Sequence, residues 1–289
     1  MILHVLIKNF RSIVNADISA ADVTVLVGPN DSGKSNVLRA LNLFFNGEIE
    51  PGRRLDFDLD FSANAKKVQG KAREITVEVT FDPPPSYKEK RSVIWRKIWR
   101  AGSATAYKSE RKFFDGTELS GRGKVGVWLD RLRFEYVPAI KSPDYFVRLL
   151  RELHDTFADT IDVDLRVASS GFISNIGKHT KAMSEMLKDA LGFPSEVELP
   201  ANLGSLFEVL EFRTGEGGAQ IPLSSRGDGI KVRHIPVVLK FIAEQRNVNA
   251  SSGYIRSDTI WGYEEPENNL ELSKAYELRD AFLQYAADT

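Results

Sequence analysis

The chain has no cysteine among its 289 residues. That excludes disulfides, thiolate metal sites and thiol nucleophiles together, and it fits a reducing, cytoplasmic setting. Long apolar runs are also missing. None approaches the roughly 20 residues that cross a bilayer, so no membrane partner is expected. The opening "MILHVLIKNFRS" lacks a basic segment followed by a long apolar one and reads as a strand, not a signal peptide. No heptad run is long enough for a coiled-coil arm, and there is no internal repeat or low-complexity linker. Charge favours neither sign: the net value is −1, so any nucleic-acid surface must be local. With 42% hydrophobic and 27% charged residues, the composition is that of a globular chain with one sizeable core and an appended lobe or two.

The stretch "VLVGPNDSGKSNVLRALNLFF" (25–45) is the most informative. Gly28, Gly33, Lys34 and Ser35 fit G-x-x-x-x-G-K-[ST] at full spacing. The glycines let the chain wrap so that consecutive backbone N–H groups point at phosphate oxygens. The loop Gly28, Pro29, Asn30, Asp31, Ser32, Gly33, Lys34, Ser35 and Asn36 is therefore the expected ATP cradle. Lys34 supplies a charge near the β and γ phosphates, and Ser35 a hydroxyl for Mg²⁺. "VTVLV" (23–27) reads as a buried strand leading into the loop. Val37, Leu38, Leu41, Phe44 and Phe45 recur at helical spacing until Asn46-Gly47 stops the helix, whose positive end faces the same anion.

Near the other end, "TIWGYEEPENNLEL" (259–272) is a short apolar strand, two carboxylates, a proline and a polar turn into a helix spanning about 271–287. Such chemistry needs one acid near Mg²⁺ and one near the attacking water. Glu264 is expected in the Mg²⁺ shell and Glu265 as the residue that polarises water. Glutamates flanking Pro266 are also common at a plain acidic helix start.

Together, "ILHVLIKNFRSI", "VLVGPNDSGKSNVLRAL" and "GYEEPENNLE" resemble the opening strand, Walker A, and Walker B with D-loop of ABC-type ATPases of the RecF/SMC/OLD group. The OLD (overcoming lysogenization defect) family is the nearest match, and "FEYVPAIKS" (134–142) resembles its strand-to-helix segment. The resemblance implies an α/β P-loop NTPase of ABC-ATPase type: a mixed β core, an antiparallel β layer and a helical lobe. The expected division is residues 1–139 as ATPase core, 140–221 as a helical insertion, and 222–289 carrying signature, Walker B and D-loop. It also implies ATP bound between two heads, hence a homodimer or higher homo-oligomer. In that group a signature motif faces the γ-phosphate held by the opposite head. The candidate is "PLSSRGDGIKVRHIPVVLKFIAEQ" (222–245), with small residues Ser224, Ser225, Gly227 and Gly229 before an apolar helix face of Ile230, Ile235, Val238, Leu239 and Ile242. Ser225 and Gly227 are the expected phosphate contacts, although Arg226 interrupts the L-S-G-G-Q type. By the same resemblance Arg11, in "NFRS", is a nucleotide contact.

ABC heads carry a switch histidine on the strand after the D-loop helix. Here His4, His154, His179 and His234 all precede Glu265. The expectation is a truncated chain, or a head completed by a partner. OLD-type proteins commonly continue into a Toprim nuclease domain, and other relatives use a separate nuclease subunit.

Between the two ends, "REITVEVTF" (73–81) alternates cleanly and stops at Pro83-Pro84-Pro85, and 93–116 reads as a meander with turns at 101–103 and 115–116. The meander is rich in Lys and Arg, Arg96 and Arg100 included, with Trp95, Trp99 and Tyr107 interleaved. It is a candidate DNA face or a solvated sheet face. "LDFDLDF" (55–61) would place Asp56, Asp58 and Asp60 on one face of a strand, as a solvated edge or a divalent-ion site. From Pro143 the period turns helical: one stripe is Phe146, Leu149, Leu150, Leu153 and Phe157, the other Ile176, Met183, Met186, Leu187 and Leu191.

Three functions follow. The first is an ATP-hydrolysing head that controls a DNA-directed nuclease, in anti-phage defence. The second is a RecF-like ATP-dependent DNA clamp or scaffold in repair, without nuclease coupling. The third, least supported by the atypical signature, is a transporter's nucleotide-binding subunit.

Overall fold

A computed structural model describes residues 1–66, 69–139, 142–160, parts of 171–189, 213–215, 220–248 and 255–287. The chain begins with β1 (Ile2–Phe10), β2 (Ile13–Ser19), α1 (Lys34–Asn46), β3 (Glu48–Glu50), β4 (Arg53–Arg54) and α2 (Phe57–Asp60). Next come β5 (Glu74–Phe81), β6 (Val93–Arg100), β7 (Lys108–Phe113), α3 (Lys124–Arg131), β8 (Arg133–Val137) and α4 (Pro143–Thr160). Then follow β9 (Arg213–Thr214), β10 (Ile221–Pro222), a 3-10 turn (Leu223–Ser225), α5 (Asp228–Val248), β11 (Thr259–Tyr263) and α6 (Leu272–Ala287). Contacts divide the chain into two compact units, Met1–Lys141 with Ala250–Thr289, and Ser142–Asn249.

In the first unit, five antiparallel strands lie in the order β2-β1-β5-β6-β7. The alternation in 73–81 sets the faces, since successive side chains of a strand point to opposite sides. Ile75, Val77 and Val79 are fully buried and pair with Trp99, Lys97 and Trp95 of β6. The other face carries Glu74 and Glu78 directly opposite Arg100 and Arg96, with ion pairs of 2.5 Å each. The basic meander is therefore largely paired within the sheet. Arg111 joins Asp130 at 2.6 Å and lies over the Trp95 ring, and Arg91 joins Glu89 and Asp115. Trp95 and Trp99 are core residues, whereas Tyr107 is exposed beside Arg100.

Helix α1 touches β1 and β5 of this sheet and also β8 and β11, which form a parallel pair. Its buried residues include Val37, Leu41 and Phe44, and Gly47 closes it in the left-handed conformation with its N–H on the Leu43 carbonyl. Phe44 meets Trp95 edge-on at 4.9 Å, and Phe45 stacks on Phe134 of β8 at 5.4 Å. At Gly262 of β11 an added Cβ would lie 2.5 Å from the Phe134 ring, so the strand approaches β8 closely only because that residue is glycine.

Two expectations fail in this unit. Residues 23–27 form no strand: Val25 is 75% and Val27 89% exposed. A short run of β-branched residues becomes a strand only when a neighbour takes its backbone hydrogen bonds, and none does so among the described residues. "DFDLD" is likewise not a strand edge. Asp56 caps α2 by accepting from the N–H groups of Asp58 and Leu59, and Asp60 is 1% exposed. Spacing of two fits an alternating strand, yet Asp56 and Asp60 are also four apart, one helical turn.

The second unit packs α4 against α5. Leu149 is buried on α4, and Val232, Ile235, Val238, Leu239 and Ile242 are buried on α5, whereas Ile230 lies exposed. Glu152 of α4 pairs with Arg246 of α5. Of the second apolar stripe, Ile176, Met183 and Met186 are exposed, and Leu187 and Leu191 lie outside the described residues. No described helix is long and apolar enough to cross a membrane.

Candidate nucleotide site

The loop Gly28–Gly33 runs into α1 without a side-chain cap: Gly33 is the N-cap at φ 97°, and no side chain bonds the first N–H groups. The uncapped end of a 13-residue helix presents donors and a positive dipole. A Cβ at Gly28 would come within 3.0 Å of the Ser32 hydroxyl, and one at Gly33 within 3.2 Å of the Ser12 hydroxyl. Gly33 is required by its left-handed backbone, at Gly28 the Ser32 hydroxyl would have to give way, and the cradle fits a phosphate chain. Lys34 Nζ donates to the carbonyls of Gly28 and Pro29 at 2.8 Å each, which folds its charge back over the loop. Asp31 also adopts a left-handed backbone, at φ 61°. Beside the loop, Ile13, Ala16 and Val37 wall a cleft of about 480 Å³ that also includes Gly28, Pro29, Ser32, Gly33 and Lys34.

Arg11 reaches this site from the turn between β1 and β2. Asn9 and Arg11 both have positive φ, 58° and 51°, and the turn is held by Asp60. Arg11 Nε donates to Asp60 Oδ1 at 2.8 Å, and Arg11 Nη1 to Asn36 Oδ1 at 3.4 Å. Asn36 in turn donates to the Ser12 hydroxyl at 2.8 Å. Arg53 is a second cation on Asp60, at 3.3 Å. Arg11 therefore stands at the first turn of α1.

The acidic half of the site comes from β11. Glu264 is 6% exposed and follows directly on the strand, with its N–H on the Val137 carbonyl at 2.9 Å. Its Oε1 accepts from the Tyr136 hydroxyl at 2.9 Å and lies 4.0 Å from Arg39 Nη2; its Oε2 accepts from the Ala139 N–H at 3.4 Å. Burial first, and then the neighbouring Glu264 carboxylate, pushes the Tyr136 hydroxyl well above the ordinary phenol range. Glu265 is exposed with φ 44°, and Asn268 Nδ2 donates to its Oε2. A left-handed backbone at a non-glycine residue is strained, and such strain gathers at functional positions. Oxygen donors from Ser35 and Glu264 are of the hard kind that suits Mg²⁺. Among the described residues, no group of three or more His, Asp or Glu side chains forms a metal cluster, Asp56, Asp58 and Asp60 included.

The structure thus places Walker A, Arg11, Glu264 and Glu265 in the first unit, and α1 touches both the first strand and the acid's strand. Ser225 and Gly227 belong to the second unit, where Gly227 starts α5 by accepting from the N–H groups of Ile230 and Lys231. Sequence reasoning missed Tyr136 and Arg39, and gave Asp60 a different role. Only Arg39 left a local trace, four residues after Ser35 on the same helix face.

Residues 1–122 match the AAA ATPase domain family (AAA_15). The match holds the glycine loop and α1, so the site lies in a stretch similar to an ATPase domain. An OLD nuclease of Thermus scotoductus is 25% identical over 221 residues, which are 67% of this chain and 39% of that protein. An uncharacterized protein of Methanocaldococcus jannaschii, MJECL44, is 39% identical over 87 residues, 30% of this chain and 26% of that one. The chain thus spans well under half the length of either relative. A solved structure of the recombination mediator RecF is similar at a TM-score of 0.35 and 16% identity, over 66% of this chain and 48% of that one. The assignment of the ATPase domain rests on the family match and the loop geometry. It agrees with the expected P-loop ATPase, with its mixed α/β core and antiparallel layer.

Proposed function

We propose that this chain is an ABC-type ATPase head that hydrolyses ATP to ADP and phosphate, pairs with a second head around ATP, and controls a DNA-directed nuclease in anti-phage defence. One observation carries the hydrolysis: a glycine-cradled, uncapped helix start and a buried carboxylate from β11 are tied to the same helix through Arg39. Backbone N–H groups of residues 33–36 and the Lys34 amine bind the phosphates. Ser35 and Glu264 would hold Mg²⁺, which when bound neutralises charge on the β and γ phosphates. Glu265, steadied by Asn268, orients the attacking water and accepts its proton at the carboxylate. Arg11 meets the nucleotide at the first turn of α1. Ser225 and Gly227 are the proposed contacts to the γ-phosphate of the opposite head. Nuclease control is supported by the likeness to an OLD nuclease, of which this chain spans 39%.

The test is the solution mass of the Glu265→Gln protein with and without ATP and Mg²⁺, beside a phosphate-release assay of the parent. Glu265→Gln removes the water-activating carboxylate and leaves ATP bound. A mass that doubles with ATP, and fails to do so once Lys34→Ala is added, supports the paired head. Phosphate release that survives Lys34→Ala sinks the hydrolytic reading, and a mass indifferent to ATP sinks the paired one.

A further inference from the structure

We propose that Tyr136 and Arg39 are positioning residues for Glu264, fixing its carboxylate in the orientation in which it would hold a divalent cation. The inference rests on the ATPase reading above and adds to it how a buried acid is kept in place.

A carboxylate that is 6% exposed must be partnered, since burying an uncompensated charge is costly. In register, Tyr136 of β8 lies opposite Gly262 of β11, and side chains two apart share a strand face. Phe134 fills the space that Gly262 leaves on that face. Tyr136, the next residue on the same face, reaches Glu264 Oε1 at 2.9 Å. Tyr136 is itself 7% exposed, so a phenylalanine would satisfy the packing; the hydroxyl has its partner in Glu264. The Ala139 N–H takes the other oxygen at 3.4 Å. These two donors, one on each oxygen, fix the plane of the carboxylate.

Arg39 sets where that carboxylate sits along α1. It is one helical turn beyond Ser35, and helical side chains lean toward the N-terminus. Its Nε pairs with Glu50 at 2.7 Å, which leaves Nη2 4.0 Å from Glu264. At that distance the guanidinium balances the buried charge without closing the direct hydrogen bond that would compete with a metal ion.

The test uses the full chain and Mn²⁺ as a paramagnetic probe. Nucleotide binding is measured in EDTA, and Mn²⁺ affinity is measured by EPR with ADP present. Tyr136→Phe and Arg39→Gln should each weaken Mn²⁺ about tenfold or more, as loss of a ligand's hydrogen-bond partner typically does. Binding of metal-free nucleotide should stay within about twofold, because the loop backbone supplies it. Tyr136→Phe with Mn²⁺ affinity equal to the parent's overturns the inference, and so does a parallel loss of metal-free binding, which marks a merely structural role. Should Arg39→Gln fail to fold, Tyr136→Phe decides alone. A parent protein that binds neither nucleotide nor Mn²⁺ overturns the ATPase reading instead.

Discussion

Arg11 and Asp60 hold each other twice: the Arg11 side chain donates to Oδ1 of Asp60 at 2.8 Å, and the Arg11 N–H to the Asp60 carbonyl at 2.7 Å. A segment that reads in sequence as an acidic strand edge is thus the clamp on the turn that carries Arg11 to the phosphate loop. Removing the acid leaves Arg11 and Arg53 without their counter-charge. Asp60→Ala should lower the unfolding free energy by roughly 2–3 kcal/mol, because it removes the acceptor of Arg11, Arg53 and the Asp56 N–H together. Arg11→Ala should cost about 1 kcal/mol, because Asp60 keeps Arg53 and the Asp56 N–H. Urea titrations check both, and equal losses for the two variants would falsify the clamp.

Lys97 gives a pH signature. It lies on the inner face of β6 between Phe44 and Trp95, donates to the Phe44 carbonyl at 2.6 Å, and is pushed down to about 8, by burial first and then by Arg111. The unfolded chain holds this proton more tightly than the folded one. The resulting penalty is complete below pH 8 and fades as pH rises toward the ordinary lysine value near 10.5. Stability should therefore gain on the order of 2 kcal/mol across that window, after discounting for the water that still reaches the amine. Lys97→Met should flatten the slope in denaturant titrations at pH 7.5 and 10. An unchanged slope would assign it to other groups.

Gly262→Ala drives a methyl group into the Phe134 ring. Overpacking of this kind costs about 1–3 kcal/mol, and here the strain also displaces the strand that leads into Glu264. Thermal melting should show the loss, and phosphate release should fall further than the fraction unfolded explains. Parent-like activity at full folding would mean that β11 yields without moving the acid.

Asp31 puts a negative charge in the phosphate loop at φ 61°, a conformation that Asn also tolerates. Asp31→Asn therefore isolates the charge from the backbone. Metal-free ATP should bind about two- to fivefold tighter at low salt, with the gain vanishing near 1 M as screening sets in. Fluorescent-nucleotide titrations at two salt concentrations check this. A gain that persists in high salt would point to loop geometry instead of charge.

The loop and α1 were legible because their rules are local: glycines at fixed positions, then apolar residues every third or fourth place up to a left-handed Gly47. β5 and β6 were legible because one face is core and the alternation is clean. Residues 23–27 misled because a strand is a property of a pair, and the pairing is not written in the run itself. Asp60 misled because spacings of two and four coincide in "DFDLD". Tyr136 left no trace at all: its partner lies 128 residues away, and only the parallel register of β8 and β11 brings them together.

That register sets a schedule. The five antiparallel strands, α1 and β8 are complete by Val137, whereas β11, which docks on β8, starts at Thr259, with the whole second unit strung between them. At roughly 5–20 residues per second of synthesis, the glycine loop emerges several seconds or more before Glu264 and Glu265. A nascent chain therefore completes the glycine loop and its helix before the strand that leads into Glu264 can pair, and closing so long a loop makes that strand the slow arrival.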